Sequence, residues 1–541
     1  MSVPPEQMQG ARQAPSVAIP KRFPLVTRPG FRSTTLKLVD PTIRSPVSDA
    51  AIFNAYAELD PEDNTYWVQK RPGTKTLTTQ TGVAGGVGIV FIPGFSGYPV
   101  FITGPNLYTW TSGAPVVVPY NGTHATPLIQ GRTAQFVQIP PNNTVGFGHA
   151  VWAANGSLWS VGLNPGHIPL PIYAYNNAID FITGAGPPWA STPLCDGCVY
   201  LDTVLYVMDQ SGAIWGSNSN DITTWVATTV IQAGGRSDFP VALVQQLEYI
   251  IALKTTSFRC FYNSGAAAQT SGVGSNLSWV EGADGNYGCS NAGSVQLIDQ
   301  TLVWVTNNTQ STPQVVRMDG LQAQVISTPV VERLLQQMTM PAYSANPLIT
   351  SNIIYSSALK RGGHRFYTMT VVTVAAGGTP FTLVYDLDQQ LWYLWYSNGL
   401  PYWSVCSASA QGDVNAGVYA QDISSGAFYL LDIDQIYPTD SGVPCQVDIY
   451  TPNSDLTVRR KKTLNQMLFV NDQVSGSKML VRKSDNDYRS WSPFREVSLS
   501  VQQPSLTRCG TFRRRALNLR HQAATPFRIK ASDVQLDIGV L

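Results

Sequence analysis

Charge is scarce in this chain. Asp, Glu, Lys and Arg make up 13% of its 541 residues, about half the ~25% usual in soluble proteins. Coiled coils and helical bundles draw on Ala, Glu, Lys and Leu, so this scarcity argues against them. Disorder is argued against too, because it needs few hydrophobic residues and these reach 43%. Long apolar runs are missing. No stretch of about 18 apolar residues occurs, so no membrane-spanning helix is expected. The N-terminal segment has no apolar h-region, so no secretory signal is expected. Histidine is rare. His124, His149, His167, His364 and His521 are dispersed, with no HxH or HExxH pair. The seven cysteines are scattered. Cys195 and Cys198 form a CxxC with no second pair to complete a zinc site. The thiols are expected to be reduced and mostly buried, in a chain made in a cytosol. P-loops, G-x-S-x-G elbows and G-x-G-x-x-G turns are absent. No cofactor, metal or catalytic residue is expected, and the chain reads as a non-enzyme.

Gly (45), Pro (37), polar uncharged residues and 10% aromatics fill the space that charge leaves. That mixture indicates a mostly β protein of many short strands joined by turns. Hairpins recur along it, often with an aromatic near the strand centre. Their leading strands centre near 101, 152, 206, 250, 304, 367 and 419, at spacings of 51, 54, 44, 54, 63 and 52 residues. A period near 50 with several strands per unit indicates a β-propeller. Six blades are expected, with seven the alternative, because the first hairpin could complete the last blade. A pair of β-sandwiches with chance spacing is the plainer reading. One helix is expected near 328–340, with Thr328 as N-cap, Pro329 at N1 and Glu332 in the first turn.

Three regions follow. Residues 1–50 hold eight prolines and are expected as an extended arm laid on another surface. Residues 51–442 form the propeller body. Residues 443–541 change texture to alternating strands, expected as a β-sheet or sandwich on or beside the propeller. Charge divides along the same line. Residues 452–541 carry 16 Lys+Arg against 7 Asp+Glu, whereas 100–451 carry 9 against 20. The densest basic clusters are Arg459, Arg460, Lys461 and Lys462, and Arg513, Arg514 and Arg515. They are a candidate interface for an acidic protein or nucleic acid; the plainer reading is a solvated face with salt bridges between subunits.

Paired carboxylates occur at Asp386 and Asp388 and at Asp432 and Asp434. Such pairs can serve glycoside hydrolysis, but in propellers acidic turn residues more often bind backbone amides. The run Ser484-Asp485-Asn486-Asp487-Tyr488-Arg489-Ser490-Trp491 is similar to the Asp-box turn of sialidase-type propellers, with Tyr488 in place of Gly and Ser490 in place of Thr. That turn is structural and does not argue for a sialidase.

Four segments, in order, resemble the tail nozzle or packaged-DNA stabilisation proteins of short-tailed bacteriophages. They are Tyr66-Trp67-Val68-Gln69-Lys70-Arg71-Pro72-Gly73-Thr74-Lys75, the run from Val325 to Leu334, Gly363 to Thr370 with Thr382 to Trp392, and Gly510 to Arg515 ahead of Val534 to Ile538. The resemblance implies a homohexamer below the portal and adaptor rings, in the virion tail. It would extend the channel for double-stranded DNA and carry fibres, spikes or a tip protein, meeting the host envelope only indirectly. Duplex DNA carries about one charge per 1.7 Å. A wall poor in Lys and Arg lets it slide, so channel-facing positions are expected within 100–451 and the Arg-rich C-terminal sheet is expected to bind protein. The alternative is a carbohydrate-binding or glycan-degrading propeller acting in receptor recognition.

Overall fold

A computed structural model describes residues 19–23, 25–26, 50–78, 85–90, 99–103, 106–111, 114–118, 135–139, 149–154, 156–162, 173–175, 188–189, 192–265, 276–307, 312–338, 354–372, 374, 378–411, 417–431 and 438–538. The chain divides into two compact units. One takes residues 31–45 and 71–445; the other takes 1–30, 46–70 and 446–541.

Among the described residues, the first unit holds seven groups of four antiparallel strands; one parallel bridge, Asp196 to Ala242, joins the third group to the fourth, and the short hairpin Thr439–Asp440 with Val443–Pro444 extends the seventh. Six are continuous in sequence, spanning 86–117, 137–175, 194–232, 240–285, 296–325 and 354–395. The seventh combines three strands from 405–431 with Thr74–Thr78, which pairs with Phe428–Leu431. Each leading strand expected from the sequence is the second strand of one sheet, so the period of about 50 residues is the sheet repeat. The sheet count is the larger of the two numbers the spacing allowed. The first hairpin has a sheet of its own, and the strand completing the last sheet comes from farther upstream.

This is β-propeller architecture, and burial explains the strand composition. Second strands such as Val204–Asp209 and Thr301–Val305 are buried at every position, and His364–Val371 at every position but Arg365. A sheet stacked between two others has no solvated face, so alternation gives way to a continuous apolar run. Core clusters join successive sheets. Ile139, Val151 and Leu158 pack on Cys198, Leu205 and Val207, and Leu243, Ile250 and Phe261 pack on Val199, Tyr206 and Ile214. Phe101 of the first sheet stacks on Phe428 of the seventh with centroids 4.4 Å apart. Gln421 of the seventh sheet donates to Ile102 O (2.8 Å) and accepts from Gly88 N (2.9 Å), so it bonds to two strands of the first sheet. Beside the closing strand, the buried Arg71 guanidinium holds both oxygens of Asp440 (2.5 and 2.9 Å) and donates to Tyr396 O.

The helix is Pro329–Leu335, capped as expected. Thr328 Oγ1 accepts from Val331 N at 3.4 Å, and Val330, Val331, Leu334 and Leu335 are buried.

The second unit contains two sheets of its own strands. One has the order Ala55–Leu59, Tyr66–Lys70, Arg528–Ile538, Lys462–Asn471, Ser505–Phe512, with Ile19–Phe23 also on Arg528–Ile538. The other has the order Ala51–Phe53, Val447–Tyr450, Ala516–His521, Lys478–Ser484, Arg495–Ser498. One expectation changes and another is made specific. Residues 51–70 belong with the C-terminal strands, not the propeller, because Ala51–Phe53 pairs with Val447–Tyr450 and Tyr66–Lys70 with Arg528–Ile538. The described part of the N-terminal arm, Ile19–Phe23, lies on the chain's own strand Arg528–Ile538, where Arg22 bonds Asp533 (3.1 Å) and Asp63 (2.9 Å).

Candidate functional site

Strand register brings the two basic runs together. Lys462 pairs with Phe512 across antiparallel strands, so Arg459, Arg460 and Lys461 and the run Arg513, Arg514 and Arg515 leave the sheet at the same end. The seven cations then part into two roles. Lys462 is 0% exposed. Its ammonium donates to the carbonyls of Val458, Arg460 (3.1 Å) and Arg513 (2.8 Å), and lies 5.2 Å from the Phe512 ring centroid. It ties both runs to one point. Arg515 is also 0% exposed. It grips Asp485 with two bonds of 2.6 and 2.9 Å, donates to Cys509 O (2.9 Å), and stacks over Phe512 at 4.1 Å. These two are internal fasteners, which corrects their assignment to an interface. A buried cation must be hydrogen-bonded to be tolerated, and both are.

Arg459, Arg460, Lys461, Arg513 and Arg514 remain exposed. Arg514 reaches Asp487 at 3.4 Å. The other four side chains have no carboxylate partner among the described residues. Nearby, the Lys483 ammonium donates to Cys509 O. Burial and the Arg515 charge push its pKa down.

The carboxylates singled out from the sequence serve turns. Asp386 is buried, meets His364 Nδ1 at 2.6 Å and accepts from the backbone N–H of Asp388 and Gln389. Asp388 pairs with Arg365 at 2.7 Å. Asp432 and Asp434 lie outside the described residues. In the Asp-box-like run, Ser484 Oγ accepts from Tyr488 N and Asn486 Oδ1 accepts from Ser490 N. Asp487 and Tyr488 both take positive φ, 57° and 64°, at and beside the position where the motif has Gly. Tyr488 is held there by its hydroxyl on Thr451 O (2.8 Å). Two further turns are anchored by a carboxylate in the same way. Asp209 accepts from Ser211 N and Ala213 N and from Trp215 Nε1, and Asp422 accepts from Ser424 N, Ser425 N and the Tyr429 hydroxyl. Their signal is an Asp, a Gly three or four residues later, then an aromatic three residues after that.

Among the described residues, no group of three His, Cys, Asp or Glu could hold a metal ion, and no helix is long and apolar enough to cross a membrane. Cys198 is buried, with its thiol pushed up to about 12 by burial, so it is a poor metal ligand or nucleophile.

The propeller hub holds a cavity of about 530 Å³. Val90, Gln138, Tyr200, Val244, Gln296, Ser356 and Ala408 line it, one from the first strand of each sheet, and among the described residues no lining side chain is charged. Residues 190–351 match the family model described as "Bacteriophage P22 Gp10, beta-propeller". This stretch is similar to a phage stabilisation protein. It covers the third to fifth sheets and the helix, under a third of the chain, and supports a structural role in a phage tail. No curated protein sequence matches the chain. Among solved structures, a computationally designed protein, Ika8, shares 10% identity, with a TM-score of 0.36 over 66% of this chain and 100% of that one. An exo-beta-1,3-galactanase from Phanerochaete chrysosporium with galactose shares 8%, at 0.30 over 77% and 98%. At these scores neither likeness bears on activity.

Proposed function

We propose that the protein is a tail nozzle of a short-tailed phage. In this reading it is a homohexamer that extends the portal–adaptor channel, retains packaged double-stranded DNA, conducts it at ejection and anchors fibres or a tail tip. The supporting observation is the stabilisation-family match, which falls on the central sheets of the propeller. The hub is too small to be the conduit: a bore of ~12 Å, the width of the major groove alone, would use up the cavity's volume of about 530 Å³ in roughly 5 Å of length. A DNA channel therefore requires several copies around an axis, and rigid propellers are suited to that packing. The acidic balance of residues 100–451 favours a wall that does not hold phosphate.

A second reading, a glycan-binding propeller, is favoured by exposed aromatics at Phe239, Tyr262 and Trp279, which could stack on sugar rings. Negative-stain imaging together with a glycan array separates the two. Six-fold rings without glycan binding support the nozzle; a monomer or trimer that binds or cleaves polysaccharide supports the rival.

A further inference from the structure

Charge is divided between the two units of this chain. The unit containing the C-terminal strands carries 21 Lys+Arg against 14 Asp+Glu, or +7, and the propeller unit carries 14 against 20, or −6. On the positive unit, Arg459, Arg460, Lys461 and Arg513 form an exposed group without carboxylate partners among the described residues. They are held together from below, because Lys462 draws the carbonyls of Val458, Arg460 and Arg513 inward onto one ammonium. Like charges fixed this closely repel one another, and an opposing anionic surface relieves that repulsion.

The propeller unit offers such a surface. Leu277–Gly285 is the terminal strand of the fourth sheet, with its outer edge unpaired among the described residues. Glu281 and Asp284 on it are exposed and have no cation within ion-pair distance among the described residues. Trp279, 46% exposed, stands two residues away and already carries the Arg259 guanidinium 4.6 Å from its ring centroid. Asp284 lies across the strand pair from Arg259, so the strand presents exposed carboxylates beside an exposed aromatic edge, which suits a cationic partner.

We propose that Arg459, Arg460, Lys461 and Arg513 dock on the Glu281–Asp284 edge of a second copy of this chain. The two patches differ, so the contact is head-to-tail and builds a ring or a continuing array, as heterologous contacts do. The inference rests on the self-assembling reading above and names the surfaces that assembly uses. Because the cations are exposed at the interface rim, the contact weakens as salt rises past ~0.1 M, where the Debye length is about 10 Å.

The test uses sedimentation velocity of the full chain at low and high salt, with circular dichroism to confirm folding. The variants are R459E/R460E/K461E/R513E, E281R/D284R and their combination, with K461E/R513E as a milder form. Each charge-reversed set is expected to reduce the assembled fraction at least tenfold, and the combination is expected to restore it. A reversed set that assembles like the wild type overturns the inference and leaves the nozzle reading standing. Failure of the combination to restore assembly overturns the pairing of these two surfaces. If the wild type binds a short duplex and the arginine variant loses that binding with assembly unchanged, the occupant is nucleic acid and the inference is wrong. A wild type that stays monomeric throughout removes the self-assembly reading and the inference with it.

Discussion

Arg514 and Arg515 are sequence neighbours with opposite fates, and a stability measurement should separate them. Arg515 holds Asp485, the Cys509 carbonyl and the Phe512 ring from a fully buried position. Arg515→Ala is expected to cost about 2–3 kcal/mol, toward the low end for a buried pair because Asp485 still meets water. Arg514→Ala is expected to stay within about 0.5 kcal/mol. Equal urea midpoints for the two variants would contradict the assignment of roles. His521 gives a pH test. Burial first, and the Lys70 charge second, push its pKa down to about 3, with Ser477 Oγ at 3.0 Å and Phe527 stacked on the ring. The unfolded chain protonates this residue near ~6.5. Between pH ~6.5 and about 3 the unfolded state therefore binds more protons, and stability falls as pH falls, by up to ~1.4 kcal/mol per unit from this group. His521→Gln is expected to flatten that slope in urea titrations at pH 7 and pH 5; an unchanged slope would show that the residue is not held neutral. The basic runs were visible in the sequence, but the burial of Lys462 and Arg515 was not. Nothing local marks a cation as internal, because its carbonyl and carboxylate partners come from other strands.

At the level of elements, hairpin spacing carried most of the information. Every centre from 101 to 419 falls on the second strand of a sheet, because that strand is packed on both faces and so stands out as an apolar run. The closing strand Thr74–Thr78 was not legible, since its partner Phe428–Leu431 lies more than 300 residues away and its own composition is polar. The assignment of residues 51–70 failed for the same reason: pairing with Val447–Tyr450 and Arg528–Ile538 leaves no short-range trace. The junction of first and seventh sheets is open to mutation. Gln421→Leu leaves Ile102 O and Gly88 N without this partner and is expected to destabilise by roughly 2–6 kcal/mol, at about 1–3 per unsatisfied buried group. A melting temperature equal to the wild type's would show that the bridge is dispensable. The CxxC is an element-scale feature too. Gly197, at φ +81°, sits where the register shifts between Leu194 and Cys198, and a Cβ there would stand 2.4 Å from Leu243 O. Gly197→Ala is expected to destabilise by more than about 1 kcal/mol, with limited proteolysis showing earlier cleavage; full tolerance would mean that the bulge relaxes readily.

For the whole molecule, the account joins a propeller with a neutral, narrow hub to a β-sheet unit of opposite charge. The cavity at the described hub residues is too small for duplex DNA, so the function proposed here calls for an assembly. The direct test is to image the purified full-length protein by electron microscopy and determine the symmetry and bore of its particles. The account predicts six-fold rings with an axial opening wide enough for a duplex and lined mainly by propeller residues. Particles without an axial opening, or an opening walled by Arg459, Arg460, Lys461 and Arg513, would contradict it.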